Sequence, residues 1–240
     1  MNLIELSKYL NDEELAEKYL LENGILKTWT NCPHCNSDKL GKISRGRIKC
    51  YKCKKEWHKR KDSILEPFKL DCGIFIAIVK LFGSGFSIYD TVQEINIDKR
   101  TISRLFKAIG ERLLPQALFR KDLPKEYILY TSSPNKIECK PIFTNDSKTD
   151  FPMEHCLITV ARKREIDNNY NFSLSVKGSK KITNKINQID RFLSYTNYNT
   201  QFFRGFSESD FIIYLYELVL RFNHTETDCF SEILKKLQIC

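Results

Sequence analysis

The sequence predicts an α+β chain of several domains, and three observations carry that expectation. Two Cys-x2-Cys pairs, Cys32-Pro33-His34-Cys35 and Cys50-Tyr51-Lys52-Cys53, stand fourteen residues apart near the N-terminus. Residues 71–114 hold three consecutive stretches with apolar side chains at helical spacing. Beyond Leu123-Pro124, short alternating stretches of strand character mix with helical ones. At 240 residues, 42% apolar and 29% charged, the chain has the composition of folded protein and room for two or three small domains. The expected boundaries are 1–66, 67–122 and 123–240.

The first element is a short helix. Asn11 is followed three residues later by Glu14, and acids fill the first turn, which is an N-cap signature. Leu15 and Tyr19, with Ala16 and Leu20, form its apolar stripe, and Gly24 ends it.

Residues 28–66 come next, around the cysteine pairs. Each pair lets two thiolates grip one ion from a tight turn, and two pairs close a tetrahedral four-sulfur site. Cys32, Cys35, Cys50 and Cys53 are thus the expected ligands of one structural Zn²⁺, with no open position for catalysis. Two redox Cys-x-x-Cys motifs are the alternative. A ribbon this short buries little apolar surface, so metal binding supplies much of its folding free energy. Residues 41–49 alternate around a Gly turn as a hairpin, and Glu56-Trp57-His58-Lys59 reads as a third strand whose Trp57 covers the metal. His34 and His58 are alternative ligands by residue type, but both are expected at the surface. Cys72, Cys139, Cys156, Cys229 and Cys240 read as free thiols in a reducing compartment.

The charge is concentrated here. The net charge is +9, yet Lys39 to Lys61 alone holds eleven Lys/Arg against one acid, Glu56. That segment is +10 and the remainder −1. One sign packed this densely is the footprint of a polyanion, most often nucleic acid. Lys42, Arg45, Arg47, Lys49, Lys52, Lys54 and Lys55 are the expected phosphate contacts.

Three helices follow. Cys72 to Phe82 is strongly apolar and ends at Gly83-Ser84-Gly85. Ser87 caps a second, to Ile95, with Tyr89, Val92 and Ile95 facing inward. Asp98 caps a third, from Lys99 to Leu114, with Ile102, Leu105, Phe106, Ile109 and Leu113 on one side. Its opposite side offers Lys99, Arg100, Ser103, Arg104 and Lys107. Two short helices joined by a tight turn, with a basic face on the second, form the helix-turn-helix pattern. A plain three-helix bundle with a solvated charged face is the other reading.

In the last segment, 127–130, 156–160 and 172–176 are expected strands, and Thr131 to Pro152 a loop. Helices are expected at about 184–195, 207–222 and 229–237. The longest apolar run stops at Lys80, well short of a membrane span, and no secretory signal is visible. A soluble intracellular protein is expected.

The order of parts resembles the zinc-ribbon DDE transposases of Merlin elements and their bacterial insertion-sequence relatives. The N-terminal likeness lies in Leu10-Asn11-Asp12-Glu13-Glu14, in the Cys32 and Cys50 knuckles with Lys49 and Lys54-Lys55, and in Gly85-Phe86-Ser87. The C-terminal likeness lies in Ile186-Asn187-Gln188-Ile189-Asp190, Phe203-Arg204-Gly205-Phe206, Phe211 with Tyr214-Leu215-Tyr216-Glu217, and Arg221-Phe222-Asn223. The resemblance implies a ribonuclease-H-like α/β third domain, here shortened. It also implies three carboxylates holding two divalent ions for phosphodiester transfer.

The acids depart from that pattern. Thr131 and Ser132 stand where the first acidic pair belongs, the stretch for the second acid is short or missing, and only Asp190 aligns with a family acid. The resemblance therefore implies a transposase-derived protein that binds double-stranded DNA and has lost its cutting chemistry. Two further readings stay open. One is an active Mg²⁺-dependent transposase or nuclease recruiting Glu126, Asp146, Asp150 or Asp167. The other is a ribbon that docks a protein. A homodimer is allowed, no membrane partner is expected, and the compartment would be the nucleus in a eukaryote or the cytoplasm and nucleoid in a bacterium.

Overall fold

Capping decides where the first two helices begin. The computed structural model describes residues 1–114, 126–133, 136–142, 155–164, 170–178, 191–192, 194–196, 208–224 and 229–239. Among these, helices and sheets mix as an α+β chain. Contacts divide it into two compact units, Met1–Ile109 with Asp228–Cys240, and Gly110–Thr227.

In the first unit, helix α1 (Leu3–Asn11) starts with a reciprocal box in which Asn2 accepts from the Glu5 N–H and Glu5 accepts from the Asn2 N–H. Helix α2 (Glu13–Glu22) is capped by Asp12, whose Oδ1 accepts from the Leu15 N–H at 3.0 Å. The expected single helix is thus two, and Asn11 ends the first instead of capping the second. Aspartate wins because Asn11 is already held by its own side chain, whose Nδ2 donates to Ser7 O. The inward stripe also shifts: Ala16 and Leu20 are fully buried, whereas Leu15 is exposed. Gly24, at φ +69°, turns the chain out of α2.

The ribbon is a three-stranded antiparallel sheet of β1 (Leu40–Ile43), β2 (Arg47–Cys50) and β3 (Glu56–His58), in that order. Its third strand and the covering Trp57 stand where the sequence places them.

Helix α3 (Cys72–Gly83) carries the core. Cys72, Gly73, Phe75, Ile76, Ala77, Ile78, Val79 and Phe82 are all buried, as expected of a helix apolar nearly all round. Such a helix needs neighbours on several sides. It contacts α1, α2, α4 (Ile88–Ile95) and the last helix, Cys229–Leu237. Burying each large aliphatic or aromatic side chain contributes about 1.5–3 kcal/mol. Helix α5 (Lys99–Leu113) turns Ile102, Leu105, Ile109 and Leu113 inward as expected, with the Phe106 ring edge-on to Phe82 at 5.0 Å. In α4 the expected Tyr89 is instead 68% exposed, and Thr91 is buried in its place, its hydroxyl donating to Ser87 O.

In the second unit, β4 (Glu126–Ser133), β5 (Lys136–Ile142), β6 (His155–Arg164) and β7 (Tyr170–Gly178) form a sheet of order β5-β4-β6-β7. Every described pair is antiparallel. The three expected strands are present and longer. The expected loop from Thr131 to Pro152 is corrected, because β5 lies inside it. Pro141 does not prevent this, since β5 is an edge of the described sheet, where a missing N–H is tolerated. Helix α6 (Glu208–Asn223) packs on β5, and the Tyr216 hydroxyl donates to Cys139 O at 3.1 Å. Residues 191–192 and 194–196 are helical, and the rest of the helix expected at 184–195 lies outside the described residues. The final helix, α7 (Cys229–Leu237), belongs to the first unit by its contacts.

Candidate metal centre and nucleic-acid interface

Both cysteine pairs fold into the same turn. In the first, the Cys32 N–H donates to Ser37 O and the Asn36 N–H donates to Cys32 O, both at 2.9 Å. In the second, the Cys50 N–H donates to Lys55 O and the Lys54 N–H donates to Cys50 O, again at 2.9 Å. The residue after each pair is left-handed, Asn36 at φ 55° and Lys54 at φ 62°. Backbone N–H groups point at sulfur in each: His34 N to Cys32 Sγ at 3.4 Å, and Cys53 N to Cys50 Sγ at 3.5 Å.

The two turns bring four sulfurs together. All lie within 4.8 Å of one another, and the Cys32–Cys53 and Cys35–Cys50 pairs are 3.6 Å apart. A disulfide would need about 2.05 Å, so the thiols are free. A tetrahedral site with metal–sulfur bonds of about 2.3 Å has sulfur–sulfur edges of about 3.8 Å. The cluster could therefore hold one metal ion and is compatible with structural zinc. All four expected ligands are in it; neither exposed histidine is.

The surroundings suit bound thiolates. Ile48 and Trp57 are buried against the cysteines, with Trp29 and Leu40 packed on the same cluster. Trp29 meets Trp57 edge-on at 5.6 Å, and its Nε1 donates to Lys59 O. The Cys53 N–H holds the Cys50 thiol down to about 6. Cys53 accepts a lowering bond from the Lys55 N–H, yet burial and the other three sulfurs push it up to about 11. The Cys50 and Cys53 thiols thus do not ionise alike, and a cation at the centre would favour thiolate. His58 is held below the ordinary imidazole value by burial and then by the charges of Arg60 and Lys59.

The basic segment sorts into two classes. Arg47 and Lys49 share Glu56, at 3.4 and 3.3 Å. Lys59 pairs with Glu17, Arg60 with Glu13 and Lys61 with Asp62. These five cations help to hold the ribbon. Lys39, Lys42, Arg45, Lys52, Lys54 and Lys55 are exposed and form no ion pair among the described residues. The sequence alone groups Arg47 and Lys49 with the outward cations. Period-two alternation says which face a strand residue takes, but not that an acid stands opposite.

Helices α4 and α5 meet through a three-residue turn, Asn96-Ile97-Asp98. Asn96 is left-handed, and Asp98 accepts from the Thr101 N–H at 2.8 Å. The Thr101 hydroxyl and N–H hold the Asp98 carboxyl below its ordinary value. Lys99, Arg100, Ser103, Arg104 and Lys107 are all exposed on α5. Arg104 also lies over the Phe68 ring, 5.3 Å from its centroid, so it packs as well as carrying charge.

Glu13 was not singled out from the sequence. Its Oε2 accepts from the Cys72 N–H at 2.7 Å and the Gly73 N–H at 3.3 Å, while Oε1 faces Arg60 at 3.4 Å. It caps α3 from another element and ties the ribbon to it. The acidic run Asp12-Glu13-Glu14 was the available signal, but nothing local separates a cap on its own helix from one on α3.

Of the residues considered for catalysis, Asp190, Asp146, Asp150 and Asp167 lie outside the described residues. Glu126 opens β4, and Thr131 and Ser132 lie on the same strand. Among the described residues, the four cysteines are the one group of His, Cys, Asp and Glu arranged to hold a metal. Glu217, 13% exposed, is paired with Arg221, its carboxyl pushed up by desolvation and lowered in part by that guanidinium. No helix among the described residues is long and apolar enough to cross a membrane. Comparison with protein-family models, with curated proteins and with solved structures finds no match.

Proposed function

We propose that this chain is a zinc-ribbon protein that binds double-stranded DNA, derived from a DDE transposase and without strand-transfer chemistry of its own. One structural Zn²⁺ on Cys32, Cys35, Cys50 and Cys53 would hold the ribbon. The observation that carries the reading is the set of six exposed, unpaired cations on that ribbon: Lys39, Lys42, Arg45, Lys52, Lys54 and Lys55. Six like charges on one small ribbon repel one another, a cost that a polyanion partner removes. Unpaired cations of one sign are suited to displacing the counterions of a phosphate backbone. The basic face of α5, behind a three-residue turn, supports a second contact, in the major groove.

The test compares two sets of substitutions in duplex binding. Replacing Lys52, Lys54 and Lys55 by Gln should weaken binding to all sequences alike. Replacing Arg47 and Lys49 by Gln should weaken it less, because those cations are engaged by Glu56. Changes at Arg100 or Arg104 should shift preference among sequences. Equal effects of the first two sets would remove the observation on which the reading stands. Thr131 and Ser132 at the expected acidic pair support the absence of cutting chemistry, since hydroxyls are poor replacements for carboxylates around Mg²⁺.

A further inference from the structure

We infer that the second cysteine turn is a docking element for unpaired nucleotides of DNA, with the Tyr51 ring as the platform on which a base stacks. This rests on the proposed DNA-binding role of the ribbon and adds that the turn, besides meeting duplex phosphates through its lysines, also takes an unpaired base. Two turns with the same hydrogen bonds and the same left-handed residue make one metal site, yet they are decorated differently. Where the first carries Pro33, His34, Asn36 and Ser37, the second carries Tyr51, Lys52, Lys54 and Lys55. The metal site does not require the second set, because the first turn forms without it.

Lys54 makes the point most sharply. It occupies the left-handed position at φ 62°, where the first turn uses Asn36, one of the residues that tolerates that region best. Lysine is less favoured there than asparagine, and its side chain is exposed without an ion pair among the described residues.

Tyr51 is placed for stacking. It is 52% exposed, although its N–H is fixed to Lys39 O at 2.9 Å. Its ring edge lies on Gly41, where a Cβ would come within 2.6 Å of Cε2. A side chain at 41 would displace the ring, so the tyrosine lies against the backbone of Gly41 on one side. Gly41 lies opposite Lys49 in the sheet, which puts the ring on the face that carries Lys49 and Arg47. An exposed aromatic ring beside Gly41, in a turn that also carries the exposed Lys52, Lys54 and Lys55, combines a stacking surface with phosphate-binding charge. That combination takes single strands, because bases stacked inside a duplex cannot reach it.

The experiment measures fluorescence anisotropy of the full zinc-loaded chain with a labelled oligodeoxythymidine and with a duplex of equal length. Tyr51→Ala should lose about 5- to 150-fold in single-strand affinity, with its salt dependence unchanged, and change duplex affinity by less than about twofold. Tyr51→Leu, which still covers Gly41 but has no aromatic face, should lose as much, and Tyr51→Trp should restore binding with its indole fluorescence quenched by the strand. Zinc content reports that each variant is folded. A Tyr51→Ala or Tyr51→Leu protein that keeps its zinc and binds the strand like wild type would overturn the inference while leaving duplex binding intact. Parallel losses on strand and duplex would overturn it as well. A wild-type protein that binds neither DNA would overturn the functional reading itself, and this inference with it.

Discussion

Glu13→Ala should loosen α3 although the substitution lies on another helix. The carboxylate serves two N–H groups at the start of α3, with Cys72 the closer at 2.7 Å, and faces Arg60 at 3.4 Å. Loss of a helix cap costs about 0.5–2 kcal/mol. Leaving Arg60 with one partner fewer adds to this, because its side chain is only 12% exposed and its Nε is already buried without an acceptor. An unsatisfied buried donor costs about 1–3 kcal/mol. Glu13 itself is 44% exposed, so water screens the ion pair and the lower half of that range applies. Together these give about 1.5–4 kcal/mol, or about 10- to 1000-fold faster opening-limited exchange of the α3 amides. Glu13→Gln keeps an acceptor for the N–H groups and should lose only about 1 kcal/mol. Hydrogen exchange read by mass spectrometry over Phe75–Val79 measures both variants. If exchange in Glu13→Ala matches wild type, the carboxylate does not hold α3, and the coupling of ribbon to core must be abandoned.

Other perturbations follow from the same geometry. Gly73→Ala should destabilise α3 by about 1–3 kcal/mol, because a Cβ there would overlap the Tyr9 carbonyl and lie 3.1 Å from Leu10 Cα; thermal unfolding measures it. Cys50→Ser, or chelation, should unfold the ribbon over 28–66 and leave the sheet of the second unit intact, as read by proteolysis and by metal analysis. Lys54→Gly should keep zinc and relieve the strain at φ 62°, so the ribbon should be no less stable while DNA affinity falls. Incubation with DNA and Mg²⁺ or Mn²⁺ should give neither nicks nor strand transfer, and Asp190→Ala should leave DNA binding unchanged; activity that disappears in that variant would refute the proposed loss of chemistry.

What the sequence disclosed was set by how local each determinant is. The Cys-x2-Cys turns, the Ser87 and Asp98 caps and the inward face of α5 are decided within a few residues, and they stand as read. The start of α2 was misplaced because Asn11 and Asp12 are both good caps, and only the bond from Asn11 back to Ser7 settles between them. Strand β5 was hidden by its proline, which reads as a breaker until Lys136–Ile142 is known to be a sheet edge. The division of the basic segment was not legible at all. Glu17 and Glu13 reach Lys59 and Arg60 across more than forty positions of chain, a distance no local pattern spans.

The salt dependence of duplex affinity tests the central claim most directly. Six unpaired cations contacting phosphate would give a log–log slope of roughly −5, and converting Lys52, Lys54 and Lys55 to Gln in zinc-loaded protein should reduce its magnitude by roughly 2.5–3. A slope near zero, or one unchanged by those three substitutions, would contradict the assignment of the ribbon as the DNA-binding surface.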